Sequence, residues 1–288
     1  MNVLNIVYRF CNKIQEKRLY WREYLSLQGF IYVYISKPAG NKCKFNWGDD
    51  LNIHLLELIS GKKVIPYQCA FLKHKHYLCI GSILQWHSKK ESIVWGTGLR
   101  EPSKVCRPFS ILAVRGPLTR QNLIEQGINC PEVYGDPALL LPRFYNPQIK
   151  QKYELGIIPH FSELKELTDN LRNEKAHIID VQNYKKWTDF IDEILSCKVI
   201  LSSSLHGVIV SDAYNIPNLW TKFTSYSAEA DGFKFRDYYL STRKYIKSPF
   251  CYNELKEINN LTQFVKNHWE PCSVDTDRLY QCCPFRKN

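Results

Sequence analysis

Short apolar runs alternate with amphipathic stretches along most of the chain, and glycine-bearing turns punctuate them. Residues 30–35 are rich in aromatic and β-branched side chains and predict a strand. After the break Lys37-Pro38-Ala39-Gly40, a helix is expected with Leu51, Leu55, Leu58 and Ile59 on one side. It follows Asn46-Trp47-Gly48-Asp49-Asp50, where Asp49 or Asp50 stands at the N-cap position. Further strands are expected at 77–80, 93–95 and 111–114, each closing on a glycine turn (Gly81, Gly96-Thr97-Gly98, Gly116). Pro117 suits the first turn of a helix running to Gly127, its expected C-cap. A short strand at 133–134 leads to Gly135-Asp136-Pro137, and the proline-containing stretch 142–152 reads as a linker.

The second half repeats this style, with strands expected at 153–158, 177–181, 198–202 and 218–223 and helices at 162–172 and 187–197. In the latter, Trp187, Phe190, Ile191, Ile194 and Leu195 form one apolar face. Such βαβ repetition predicts an α/β fold of doubly wound parallel sheets. The expected division is a basic N-terminal helix over 1–29, a Rossmann-like domain over 30–145, a second over 150–250, and a C-terminal helix and tail over 251–288. Two such domains in series leave a cleft, and ligands bind outside the carboxyl ends of strands.

Composition narrows the class. Among 288 residues, 44% are hydrophobic and 23% charged, values of a folded soluble protein rather than a disordered one. No apolar run approaches the roughly 18 residues that a membrane-spanning helix needs. Arg9, Lys13 and Lys17 break the early apolar stretches, so no secretory signal is read and a cytoplasmic location is expected. Eleven cysteines spread from Cys11 to Cys283 without a C-x-x-C pair, which suits reduced thiols and gives no reason to expect a metal.

The net charge of +11 favours acidic partners. A solvated basic face accounts for much of it. A sharper reading places the N-terminal segment on the inner, anionic face of a membrane as a peripheral helix. Its apolar residues Val3, Leu4, Ile6, Val7, Phe10 and Ile14 recur at helical spacing among Arg9, Lys13, Lys17, Arg18 and Arg22. No nucleic-acid-binding module is recognisable, so nucleic acid is not an expected partner.

Four segments carry chemistry. Ser203-Ser204-Leu205-His206-Gly207 follows an apolar strand and opens a helix, where free N–H groups make an anion site. A cap at Ser204 and a packed His206 are the competing reading. Arg115-Gly116-Pro117-Leu118-Thr119-Arg120 sets two arginines at a strand end and a helix start, suited to carboxylate or phosphate. Asp49 and Asp50 are adjacent carboxylates. Gly232-Phe233-Lys234-Phe235-Arg236-Asp237-Tyr238-Tyr239 alternates cations with aromatics and reads either as a phosphate- or sugar-binding segment or as an edge strand.

Taken in order, these segments resemble the polysaccharide pyruvyl transferases. The resemblance rests on Asn46-Trp47-Gly48-Asp49-Asp50-Leu51-Asn52, Trp95-Gly96-Thr97-Gly98, Ala113-Val114-Arg115-Gly116-Pro117-Leu118-Thr119-Arg120 and Tyr134-Gly135-Asp136-Pro137. It continues through Ile158-Pro159-His160, Ser203 to Gly207, Ser211-Asp212-Ala213-Tyr214 and Lys234-Phe235-Arg236-Asp237, covering residues 30 to about 245. It implies two facing Rossmann-like domains of the GT-B kind. It also implies phosphoenolpyruvate as donor substrate with no further cofactor, and a pyruvate ketal on a sugar of a surface polysaccharide or its lipid-linked precursor. The family's motif histidine falls on His206, its arginine on Arg115 and its loop aspartate on Asp49, the expected catalytic set. Asn46, Gly48, Asp50, Gly96, Arg120, His160, Ser203, Ser204, Leu205, Lys222, Lys234 and Arg236 are the expected substrate-binding residues. His206 as acid and Asp49 as base fit the sequence, and the exchanged roles fit it equally. The rival is a GT-B glycosyltransferase with a nucleotide-sugar donor, against which stands the absence of Glu from 207–222.

Overall fold

The computed structural model describes residues 29–36, 46–69, 75–170, 176–224 and 232–286. Residues 1–28 of the basic helix expected over 1–29, and the Lys37 to Gly40 break, lie outside them. Five strands form the first sheet: β1 (Ile31–Val33), β2 (Val64–Pro66), β3 (His76–Leu78), β4 (Ser92–Trp95) and β5 (Ser110–Ala113). They are wholly parallel, in the order β2-β1-β3-β4-β5. Helices α1 (Trp47–Ser60), α2 (Leu84–His87) and α3 (Pro117–Glu125) connect them or follow. A second parallel sheet comprises β6 (Tyr153–Ile158), β7 (Ala176–Ile178), β8 (Cys197–Ser202), β9 (Asn218–Lys222) and β10 (Phe250–Cys251), ordered β10-β9-β8-β6-β7. With it come α4 (Leu164–Asn170), α5 (Asp189–Leu195), α6 (Leu205–Ala213), α7 (Gly232–Ser241), α8 (Tyr252–Leu255), α9 (Leu261–His268) and α10 (Thr276–Gln281). The architecture is α/β with two parallel sheets, as the alternation of short strands and amphipathic helices requires.

Several local expectations change. The N-cap of α1 is Asn46, whose side chain accepts the Gly48 N–H at 3.0 Å, while Asp49 and Asp50 lie inside the first turn. The 133–134 strand reduces to a single parallel bridge between Val114 and Tyr134. Pro142 belongs to a 3-10 turn, Pro137–Arg143, not to a linker. The segment from Gly232 is a helix and not an edge strand: Gly232, Phe235, Tyr238 and Tyr239 bury at helical spacing.

Two elements late in the chain return to the first sheet. Helix α7 lies against α3, and α10 lies against the 3-10 turn at Pro137–Arg143. Trp95 Nε1 donates to the Leu279 carbonyl at 3.0 Å, and Phe285 packs edge-on against Tyr77 and Trp95. One continuous apolar cluster therefore runs from Leu51 and Trp95 through Leu140 and Val208 to Phe190 and Trp220. Cys282 and Cys283 are both free thiols. Among the described residues, no helix is long and apolar enough to cross a membrane.

Candidate active site

Helix α1 starts deep between the two sheets because Trp47 anchors it there. That indole is wholly buried, its Nε1 donates to the Trp187 carbonyl at 2.6 Å, and its ring lies 4.5 Å from that of Phe190. The Trp47 N–H donates to the Val181 carbonyl at 2.9 Å. Next to this anchor the α1 N-terminus meets the N-terminus of α6. A methyl group on Gly48 would sit 2.0 Å from His206 Nδ1 and 2.2 Å from Cε1, so the imidazole rests directly on the Gly48 backbone. Glycine is needed here because no side chain fits.

Two helix N-termini thus converge on one imidazole, each turning the positive end of its dipole towards it, although the leading N–H groups of α1 are already bound to Val181 and Asn46. Burial and the nearby charges of Lys234 and Arg115 hold His206 down at about 3, so it is neutral across the physiological range. Its Nε2 is buried and has no hydrogen-bond partner among the described residues.

Asp49 lies in the first turn of α1, with Oδ1 3.9 Å from the Cβ position of Gly81. Burial, and then repulsion from Asp50, push its carboxyl from 3.8 up to about 7. Asp50 instead accepts a hydrogen bond from the Tyr184 hydroxyl. Environment therefore separates two adjacent carboxylates: one poised near neutrality, the other tied to a phenol.

Around this pair the C-terminal edge of the second sheet supplies more of the expected residues. Ser203, Ser204 and Leu205 are buried, and Ser204 is the α6 N-cap, although its side chain makes no capping hydrogen bond. The His160 N–H donates to Ser203 Oγ at 2.8 Å, and the His160 ring bonds Ser162. Lys222 ends β9, two residues beyond Trp220, which pairs with Ser202. Gly96 has φ 94° and meets Pro137 so closely that a Cβ would lie 2.3 Å from Pro137 Cδ, which sets the turn after β4.

Other expected residues are placed elsewhere. Arg115 is fully buried, and its guanidinium is committed to Asp237 (Nη2–Oδ2 3.0 Å, Nε–Oδ2 3.1 Å), Ser82 and the Leu99 carbonyl. It is an internal brace behind the site and is not open to a ligand. Arg120 is spent on the Cys130 carbonyl and on Glu132 at 3.2 Å. Arg236 is exposed on α7.

Some participants were not among the expected site residues. Asp237 also takes the Thr119 N–H at 2.8 Å and its hydroxyl at 2.7 Å, locking α7 to α3. Asp136 is fully buried with Oδ1 capping Ala138, and burial raises it to about 6. Glu163, 1% exposed, accepts from Ser203 and from the Thr224 N–H and hydroxyl. Its position outside 207–222 hid it. Among the described residues no group of three or more His, Cys, Asp or Glu is placed to hold a metal ion.

The chain matches the family described as polysaccharide pyruvyl transferase over residues 17–221, which includes Asn46 through His206. It belongs to the polysaccharide pyruvyl transferase family. As a member it is a transferase acting in polysaccharide pyruvylation. It is 32% identical to an uncharacterized protein of Acanthamoeba polyphaga mimivirus over 67% of this chain and 69% of that one. It is 28% identical to the succinoglycan biosynthesis protein ExoV of Rhizobium meliloti, over 67% of this chain and 60% of that protein. A crystal structure of a functionally uncharacterized Klebsiella pneumoniae protein overlaps 83% of this chain and 97% of its own, at 14% identity and a TM-score of 0.45.

For this pyruvyl transferase family member, Gly48→Ala should separate folding from turnover. The added methyl must turn the His206 ring away, and a misplacement of that size costs roughly 100-fold in rate. The protein should still unfold cooperatively. Turnover at the unsubstituted rate would show that the seating of His206 on Gly48 is irrelevant.

Proposed function

We propose that the enzyme transfers pyruvate from phosphoenolpyruvate to two hydroxyls of a sugar, forming a ketal on a surface polysaccharide or its precursor. The observation that carries this reading is the meeting of two helix N-termini at His206, beside a carboxyl held near 7. A doubly anionic donor suits that position, because the positive ends of two helices and Lys234 favour negative charge there. In this reading the two sheets belong to two facing Rossmann-like domains, about 30–145 and 150–250, with the donor in the cleft between them.

The proton balance states what the two groups have to do. Two sugar hydroxyls each lose a proton; one proton ends on the donor methylene, which becomes the methyl group, and the other leaves with inorganic phosphate. The C2–phosphate oxygen bond breaks and two C2–oxygen bonds form. Asp49, near 7, exists in both protonation states at neutral pH, so it takes a hydroxyl proton and can return it. His206 is neutral before the donor arrives. A phosphate beside Nε2 raises its basicity, so it holds the second proton for the departing phosphate. The acceptor lies towards Tyr184, beside a groove of about 410 Å3 whose Asn183, Tyr184 and Asp189 suit a hydroxyl-rich ligand.

Thermal unfolding with phosphoenolpyruvate and with a panel of nucleotide sugars tests the donor. A ligand at about 100 times its dissociation constant stabilises the fold by roughly 2.7 kcal/mol. The expected result is an upward shift with phosphoenolpyruvate that His206→Ala removes. A shift with a nucleotide sugar alone would replace this reading with a glycosyltransferase.

A further inference from the structure

In a parallel sheet every strand begins at the same edge, and in the first sheet that edge is cationic. Lys62 and Lys63 precede β2, Lys75 precedes β3, and Lys89 and Lys90 precede β4; all five are exposed. Exposed Arg107 lies three residues before β5. The order β2-β1-β3-β4-β5 sets these positions side by side, along roughly 20 Å at about 4.8 Å per strand. The carboxylates near them include Glu57, which Lys63 meets at 3.4 Å, half-buried Glu91, and exposed Glu125, two residues before Gly127, whose carbonyl accepts from Arg107.

A large aromatic stands out of the same edge. Phe109 is 58% exposed, with Lys75 Nζ 3.6 Å above its ring. Exposed aromatics interleaved with lysines are the composition of a protein surface that meets lipid headgroups. The chain also enters β1 at this edge, between Lys63 and Lys75 in the strand order, and the segment that leads in carries Arg9, Lys13, Lys17, Arg18 and Arg22.

We propose that this edge docks on an anionic lipid surface. Phe109 enters the headgroup layer, and Lys75, Lys89 and Lys90 meet lipid phosphates. The candidate active site lies at the opposite, C-terminal ends of the strands. The strands are only three or four residues long, about 13 Å, so a glycan held at the surface stays close to the site. The inference is independent of the donor.

Sedimentation of the full chain with vesicles of phosphatidylcholine, with and without phosphatidylserine, tests it. Binding should require phosphatidylserine and weaken with salt. The variant Lys75→Glu/Lys89→Glu/Lys90→Glu should lose at least roughly tenfold in partitioning, since each surface lysine contributes measurably to attraction by an anionic leaflet. Its melting temperature and its response to phosphoenolpyruvate should match the unsubstituted chain. Unchanged partitioning of the triple variant, equal binding to neutral vesicles, or a dimer in solution that Phe109→Ser dissociates would overturn the proposal.

Discussion

Replacing Asp49 with asparagine should abolish turnover and, above neutral pH, make the protein more stable. The rate loss is that of a positioned proton carrier, on the order of 1,000-fold. The stability gain follows from linkage. Asp49 titrates near 3.8 in an ordinary environment and at about 7 in the fold, so between those values the folded state binds more protons than the unfolded one. The stability this lends is complete below the lower value and is lost as pH rises through about 7. At pH 8 the ionised, buried carboxylate opposes folding by a few kcal/mol, a cost that asparagine removes. Denaturant unfolding of both proteins at pH 5 and pH 8 checks this: the gap between them should open at the higher pH. Where Asp49 acts as base, the wild-type rate should climb through pH 7. Identical pH dependence of unfolding in the two proteins would refute the protonated, buried state.

Removing Arg115 should instead unfold the molecule. Its partner Asp237 is fully buried and accepts from both Arg115 and Thr119, so Arg115→Met leaves a charge without its counterion. Breaking a buried pair on one side costs about 3–5 kcal/mol, a large part of the stability of most domains. The double variant Arg115→Met/Asp237→Leu should recover part of that loss, because both charges are gone. Guanidinium unfolding of the single and double variants measures the difference. A stable Arg115→Met variant lacking only phosphoenolpyruvate binding would return Arg115 to the role that family resemblance implies, direct contact with the donor.

The sequence made the alternating architecture legible because strands such as β6 and β8 are apolar runs bounded by turns, and α5 shows one clean face. β2 and β10 escaped notice because Val64-Ile65-Pro66 is only three residues ending in proline, and Phe250-Cys251 only two. The cap of α1 was misplaced because three residues near it, Asn46, Asp49 and Asp50, have capping side chains; only Asn46 has the extended backbone. Alternating cations and aromatics in α7 imitate a strand, while the buried set there follows a helix. At the site, Gly48, Asp49 and His206 could each be singled out by type and position. Their contact could not, since it depends on how Trp47 seats one helix against another sheet. Arg115 shows the limit most clearly: whether a cation meets a ligand or a carboxylate is decided by Asp237, which reaches it from a distant helix.

The return of α10 to the first sheet bears on how the molecule is made. Trp95 finds its carbonyl partner 184 residues later, and Tyr77 finds its ring partner in Phe285. During synthesis the early half emerges with an apolar flank bare and stays so until α10 leaves the ribosome. Contacts between such remote positions slow folding and prolong the exposure of sticky surface. A nascent chain of this kind is a natural client for chaperones that shelter a half-finished sheet.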